Sequence, residues 1–303
     1  MMRITDRTVS REYLISMNKS KNEVQKLQMQ LTTGSKISNP SDSPSGTGKI
    51  LRIENQLGNN QVYKKNLDEG LSFVNTSVSV MESIYNRVQE ANQVLSEINN
   101  AANLGNTELY SKKIDDILNS MLELANTEYD GKYIFGGTDF AEAPYGFEDA
   151  PAPGTSAAVE VKVSSVAGEQ KIKTGKDSYQ KINTTGDELF GTVGTGDIFN
   201  TLISIRDELK DGTRPSIDQA NIVQDFGQHV LNKISASGDT INRLDNTNEL
   251  VDNQILELKT LLSDEQDVDD AEAIMDLQNQ QYYLDLSYKM SSMIMTKSLL
   301  DYL

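Results

Sequence analysis

ILRIENQLGNNQVYKKNLDEGLSFVNTSVSVMESIYNRVQEANQVLSEINNAA, residues 50–102, sets the architecture of the chain. Alternating steps of three and four meet Ile50, Ile53, Leu57, Asn60, Lys64, Leu67, Leu71, Val74, Val78, Met81, Tyr85, Val88, Asn92, Leu95, Asn99 and Ala102, and twelve of these sixteen positions are apolar. A seam of this period kept up for about seven heptads predicts one helix of roughly 80 Å. Its apolar stripe is narrow, so other helices must lie alongside to cover it. Gly58 and Gly70 fall inside this helix. Each costs roughly 1 kcal/mol there but leaves the register unchanged.

A matching seam lies in the second half: Ser216, Ala220, Val223, Gly227, Val230, Ile234, Ser237, Ile241, Leu244, Asn248, Val251, Ile255, Leu258 and Leu262, ten of fourteen apolar. Two long helices of similar length predict an antiparallel pair. Shorter stripes extend the pattern: Tyr13, Met17, Ser20, Val24, Leu27 and Leu31 near the start; Tyr110 to Leu124, capped by Thr107, in a helix ending near Tyr129; Ile198 to Leu209, ended by Gly212 and Pro215; and Ile274, Leu277, Gln281, Leu284, Tyr288, Ser291, Met295, Ser298 and Tyr302 at the end. Residues 131–196 hold eleven of the twenty glycines and three of the six prolines. Val159, Val161 and Val163 alternate with polar residues, as on a half-buried strand, and residues 170–174 suggest another. The expected fold is mainly α: a long antiparallel helical hairpin or bundle, terminal coiled-coil helices and a small β-rich inserted domain. The expected divisions are 1–45, 46–130, 131–196, 197–262 and 263–303. The stretches 35–48 and 263–270 are read as links between helices.

Composition narrows the function. The net charge of −17 argues against nucleic acid and anionic membranes as partners. There is no cysteine, and His229 is the only histidine. Thiolate chemistry is therefore excluded and a histidine-based triad has one candidate, which reads as a solvated helix residue. Gly46-Thr47-Gly48-Lys49 resembles the tail of a phosphate loop but lacks its first glycine and its final hydroxyl residue. The acidic run at 264–270 lacks calcium-loop spacing. No catalytic residue, metal site or cofactor is expected. No stretch reads as a signal peptide or a membrane span. Residues 1–52 carry nine basic and four acidic side chains, net +5, and residues 263–303 carry two and nine, net −7. Opposite charge favours pairing of the terminal helices, mainly as a matter of specificity.

Leu31-Thr32-Thr33-Gly34-Ser35-Lys36-Ile37-Ser38-Asn39-Pro40-Ser41-Asp42-Ser43-Pro44 resembles the signature of the flagellin family. Gly34, Ile37, Asn39, Pro40, Ser41, Asp42 and Pro44 carry the match. It departs at Ser43, where a second aspartate is usual, and at Ser45-Gly46. Leu124-Ala125-Asn126-Thr127 leading into Lys132-Tyr133-Ile134-Phe135-Gly136-Gly137-Thr138, and the ending Ser298-Leu299-Leu300-Asp301-Tyr302-Leu303, resemble the hook–filament junction branch. The resemblance covers roughly residues 1–140 and 200–303.

This resemblance implies a structural subunit, not an enzyme, exported by the flagellar type III apparatus to the extracellular flagellum. A cytosolic export chaperone would hold the last helix. The axial neighbours would be copies of the chain itself in a ring, hook-associated protein 1 and flagellin. The resemblance further implies that the terminal seams form the assembly interface, through Tyr13, Met17, Val24, Leu27 and Leu31 on one side and Ile274, Leu277, Leu284, Tyr288, Met295 and Tyr302 on the other. Serine and glutamine dilute these seams, so one copy alone offsets little of the ordering entropy. Flagellin itself, and a coiled-coil secretion-tip or adhesin protein, are the alternative readings.

Overall fold

The heptad seam folds as one helix. The computed structural model describes residues 6–98, 106–139, 142–149, 156–163, 166–191 and 197–300, with side chains of the terminal helices described from Arg11 and as far as Ser291. Among these residues seven helices follow in order: α1 (Asp6–Thr33), α2 (Pro44–Ile98), α3 (Thr107–Ala125), α4 (Gly186–Phe190), α5 (Ile198–Lys210), α6 (Ile217–Gln266) and α7 (Asp270–Leu300). Six short strands lie between α3 and α4. They form three antiparallel hairpins: β1 (Glu128–Tyr129) with β2 (Lys132–Tyr133), β3 (Tyr145–Phe147) with β4 (Val159–Val161), and β5 (Lys171–Lys173) with β6 (Tyr179–Lys181). The fold is mainly α, with long helices and small β hairpins. Asn99, Ala102 and the break at 99–105 lie outside the described residues.

The chain forms two compact units, one made of its ends as far as Asn59 and from Gln254, the other of Asn60–Asn253. In the second unit α2 and α6 run antiparallel. Lys64 meets Asp252 at 2.5 Å, Asn248 Nδ2 donates to an Asp68 carboxylate oxygen at 2.9 Å, and a Cβ on Gly227 would stand 3.2 Å from Val88 Cγ1. These pairs step forward along one helix and back along the other. Seam residues Leu67, Val74, Met81, Val88 and Leu95 are buried on α2, and Val223, Val230, Leu244 and Val251 on α6. α3 packs beside α5, where Arg206 pairs with Asp115 at 2.9 Å and Ser111 Oγ donates to the Arg206 carbonyl at 3.0 Å.

Gly70 has a use that its helix propensity conceals. A Cβ there would stand 2.6 Å from Ile172 Cδ1, so the glycine lets the β5–β6 hairpin settle onto α2. Asn66 Nδ2 fastens the same hairpin through the Lys173 carbonyl at 2.9 Å. Gly58 meets nothing within 4 Å. The hairpin region shares an aromatic core with the helices: Phe135, Tyr145, Phe190, Phe199 and Phe226, with successive ring centroids 5.0–6.3 Å apart.

Several boundaries differ from the sequence reading. α2 begins at Pro44, inside the stretch read as a loop, because Ser43 Oγ accepts from Gly46 N at 3.2 Å and Pro44 takes the first helical position. α6 continues to Gln266, so the acidic link shrinks to residues 267–269, and Asp269 Oδ1 caps α7 by accepting from Ala271 N at 2.9 Å. Asn106, without a side-chain cap, precedes α3, and Thr107 is already helical. The helix read as far as Tyr129 stops at Ala125, because Asp130 and Gly131, at φ 52° and 71°, turn the chain into the β1–β2 hairpin. α4 had no counterpart in the sequence reading; Thr185 caps it by accepting from Glu188 N.

Tyr145 is 2% exposed and its hydroxyl has no partner among the described residues. Burial, then the nearby Asp187 and Asp197 charges, push its phenol up from its ordinary value. A raised phenol pKa contributes stability that is complete below the unfolded value of about 10 and is lost as pH rises toward the folded value. Tyr145→Phe is therefore expected to stay within about 1 kcal/mol of the parent at pH 7. Above about pH 10 it should lose less stability than the parent, as urea unfolding at several pH values will show.

Candidate assembly surface

The terminal helices pair antiparallel. The Tyr13 hydroxyl donates to the Ser287 carbonyl, and the turn after α1 bridges to the turn before α7. The inner row of α1 is Tyr13, Met17, Ser20, Val24, Leu27 and Leu31, on the four-three spacing, with Val24 buried and the rest half-buried. The row that α7 turns inward is Ala273, Leu277, Gln280, Leu284, Ser287 and Ser291. It shares Leu277, Leu284 and Ser291 with the seam read from sequence. The alternate positions of that seam, Ile274, Gln281 and Tyr288, lie one residue further round and are exposed, Ile274 by 46% and Tyr288 by 48%. The last helix thus carries two overlapping heptad rows, one used within the chain and one left open.

Further large apolar side chains are exposed on these helices: Met275, Tyr282, Tyr283, Leu286 and Met290 on α7 and Leu14, Ile15 and Met29 on α1. Exposed apolar side chains in this number make the pair a candidate interaction surface. The Met295 side chain and all of Tyr302 lie outside the described residues.

The signature stretch forms the joint at the base of this pair. Gly34, at φ 70°, ends α1, and its carbonyl accepts from Val268 N at 3.0 Å. Lys36 N returns to the Gln266 carbonyl at 2.7 Å, and Lys36 Nζ reaches the Asp264 carbonyl at 2.9 Å. Asn39 and Asp42 close a turn on themselves: Asp42 Oδ2 accepts from Asn39 N at 3.0 Å, while Asp42 N donates to the Asn39 carbonyl at 2.9 Å. Pro40 and Ser41 occupy the exposed tip, and Pro44 starts α2. Ile37 lies over Gly46, where a Cβ would stand 2.6 Å from Ile37 Cδ1. Lys49 then pairs with Glu265 at 3.4 Å, an exposed and weak contact. Apart from Pro40 and Ser41 at the tip, the signature residues serve backbone geometry or packing.

The second motif is likewise a packing knot. Phe135 is fully buried, and its carbonyl accepts from Gly186 N at 3.1 Å. Gly137, at φ 67°, passes so close to Gly168 that a Cβ would stand 2.7 Å from that residue's nitrogen, while Gln170 Nε2 donates to the Gly137 carbonyl at 2.8 Å. Thr138 fills the space beside Gly168. A Cβ on Gly136 would stand 2.7 Å from the Asp139 carbonyl oxygen. His229 is exposed, and its Nε2 donates to the Glu188 carbonyl at 2.8 Å, fixing α4 to α6. Among the described residues no group of three or more potential metal ligands occurs, and no helix is long and apolar enough to cross a membrane.

The chain is thus a mainly helical protein whose antiparallel terminal helices are joined by a bridged turn. Residues 4–139 match the bacterial flagellin N-terminal helical region. Along its length the chain resembles flagellar hook-associated protein 3. That of Escherichia coli (strain K12) is 23% identical over 319 residues, covering 95% of each chain. That of Salmonella typhimurium is 25% identical over 306 residues, again covering 95% of each. A solved structure of a flagellar hook-associated protein from Vibrio parahaemolyticus superposes with a TM-score of 0.64 at 17% identity, covering 75% of this chain and 100% of that one, a likeness of fold.

The role given to Ser43 makes a direct test. Ser43→Ala should cost about 1 kcal/mol in urea unfolding through loss of the α2 cap. Ser43→Asp, the residue usual in the family signature, should be near neutral because aspartate caps equally well.

Proposed function

We propose that this chain is a structural subunit of the bacterial flagellum at the junction between hook and filament. The likeness to flagellar hook-associated protein 3 over 95% of both chains carries this reading. The open apolar row of α7 supports it, because it is a surface that a second copy or an axial neighbour would cover. The proposed neighbours are further copies of this chain in a ring, hook-associated protein 1 below and flagellin above. Before export through the type III apparatus, a cytosolic chaperone would shield α7. The reading assigns no catalytic step. The proposed organisation keeps residues 1–45 and 263–303 as assembly segments, 46–130 and 197–262 as the body, and 131–196 as the outward insertion.

The match of residues 4–139 to the flagellin N-terminal region also fits a filament subunit. Deleting the gene separates the two. A junction protein predicts cells that keep hooks, lack filaments and shed flagellin monomers. A filament subunit predicts that antibody to this chain labels the whole filament of the parent strain. Filaments of normal length in the deletion strain would refute both.

The two rows of α7 give a sharper expectation. Ile274→Asp and Tyr288→Asp change exposed positions, so the monomer melt should move by less than about 0.5 kcal/mol. In an assembly each would bury an unpaired charge at a cost of several kcal/mol, and ring formation and motility should be lost. Leu284→Asp strikes the inner row and should destabilise the monomer's terminal pair as well. Melting curves and motility assays of the three variants distinguish the rows.

A further inference from the structure

A chain of net charge −17 contains one crevice with the opposite character. It measures about 150 Å³ and lies between a face of α6 and the segment running from β6 to α4, with Val74 of α2 also in its wall. Lys233, Ser237, Thr240 and Arg243 line it from α6, at spacings that place them on one helix face. Lys181 and Glu188 line the other side.

The charges do not balance. Among the described residues Glu188 is the only carboxylate in the lining; it lies 2.7 Å from Lys181 but 3.9 Å from Lys233. Lys181 has a second carboxylate, Glu169, outside the crevice at 3.6 Å. Arg243 meets no carboxylate among the described residues; its Nη2 donates to Thr240 Oγ1 at 3.1 Å, and its remaining N–H groups are unused. Ser237, only 7% exposed, makes no hydrogen bond to a described residue. A helical serine ordinarily returns its proton to the carbonyl four residues back, as Thr240 does to Ala236 at 3.1 Å. The hydroxyl of a nearly buried serine with a spare proton lines the same crevice as an exposed guanidinium that meets no carboxylate and an under-compensated lysine, a donor set without a protein acceptor.

We propose that this crevice binds one small oxyanion of phosphate size. Arg243 and Ser237, within two helical turns, would contact it, and Lys233 would add charge at about 15 Å along the helix axis from Arg243, reaching inward with its long side chain. A cation is disfavoured by the three basic groups, and a neutral ligand leaves Arg243 uncompensated. The bound anion would tie α6 to the β6–α4 segment. This site is independent of the assembly surface and of the junction reading.

Phosphate titration of the full-length monomer, followed by amide shifts of residues 233–243 at ionic strength held constant with chloride, is the test. The expected result is saturable binding at one site centred on Ser237 and Thr240, displaced by sulfate and not by chloride. Arg243→Ala should weaken it at least about tenfold. Ser237→Ala should weaken it severalfold with the fold intact, which covers the case of an Arg243 variant that folds poorly. Absence of saturable shifts up to about 10 mM phosphate, an affinity too weak to be a built site, would overturn the proposal. Saturable shifts unaltered by Ser237→Ala and Arg243→Ala would overturn it equally, by placing the anion elsewhere.

Discussion

The antiparallel seam between α2 and α6 is the constraint on which the second unit depends. A helix of 55 residues with a stripe only a few side chains wide cannot shield that stripe by itself. α6 supplies the matching stripe, and Gly227 lets the two backbones approach where Val88 sits. The charged rungs at the edge of the seam, such as Lys64 with Asp252, are exposed and add register more than stability. Burial of Leu67, Met81, Val88, Val223 and Val230 supplies the driving force.

The terminal pair follows a different economy of contacts. Its inner rows include Ser20, Gln280, Ser287 and Ser291, and among the described side chains only Val24 and Ala273 of its apolar residues are buried. Large apolar side chains meanwhile point away from the pair. A helix with its weaker row inside and its stronger row outside leaves most of its apolar area open, which fits the assembly role proposed for it. The bridged turn at Gly34–Lys36 and Gln266–Val268 holds the ends of the pair in register without demanding a thick core.

Much of this was legible from the sequence because a heptad period survives translation into structure. Within the described residues the inner row of α1 and the seams of α2 and α6 fall on buried or half-buried positions, except Ser216, which is exposed and precedes α6. The sequence seam of α7 departs from its inner row, since Ala273, Gln280 and Ser287 are small or polar and the adjacent Ile274 and Tyr288 advertise themselves more strongly. Gly70 and Gly227 could be read only as costs within their own helices; the partner that needs them comes from far along the chain. Asp130-Gly131 is a hairpin signal between Tyr129 and Lys132, masked by the apolar stripe that runs up to it from Tyr110 to Leu124. The boundary at Pro44 depended on Ser43 acting as a cap, which a run of Ser, Pro and Gly disguises as loop. The cationic crevice had no sequence signature, because Lys181 and Arg243 meet only through the fold.

The most direct measurement is hydrogen exchange along α7 in dilute monomer and in the assembled flagellar structure. If the open row is covered by a neighbour, amides around Ile274, Gln281 and Tyr288 should exchange at least about a hundredfold more slowly after assembly, while those around Met81 and Val88 change little. Equal exchange along α7 in the two states would contradict the assignment of its outer row to assembly.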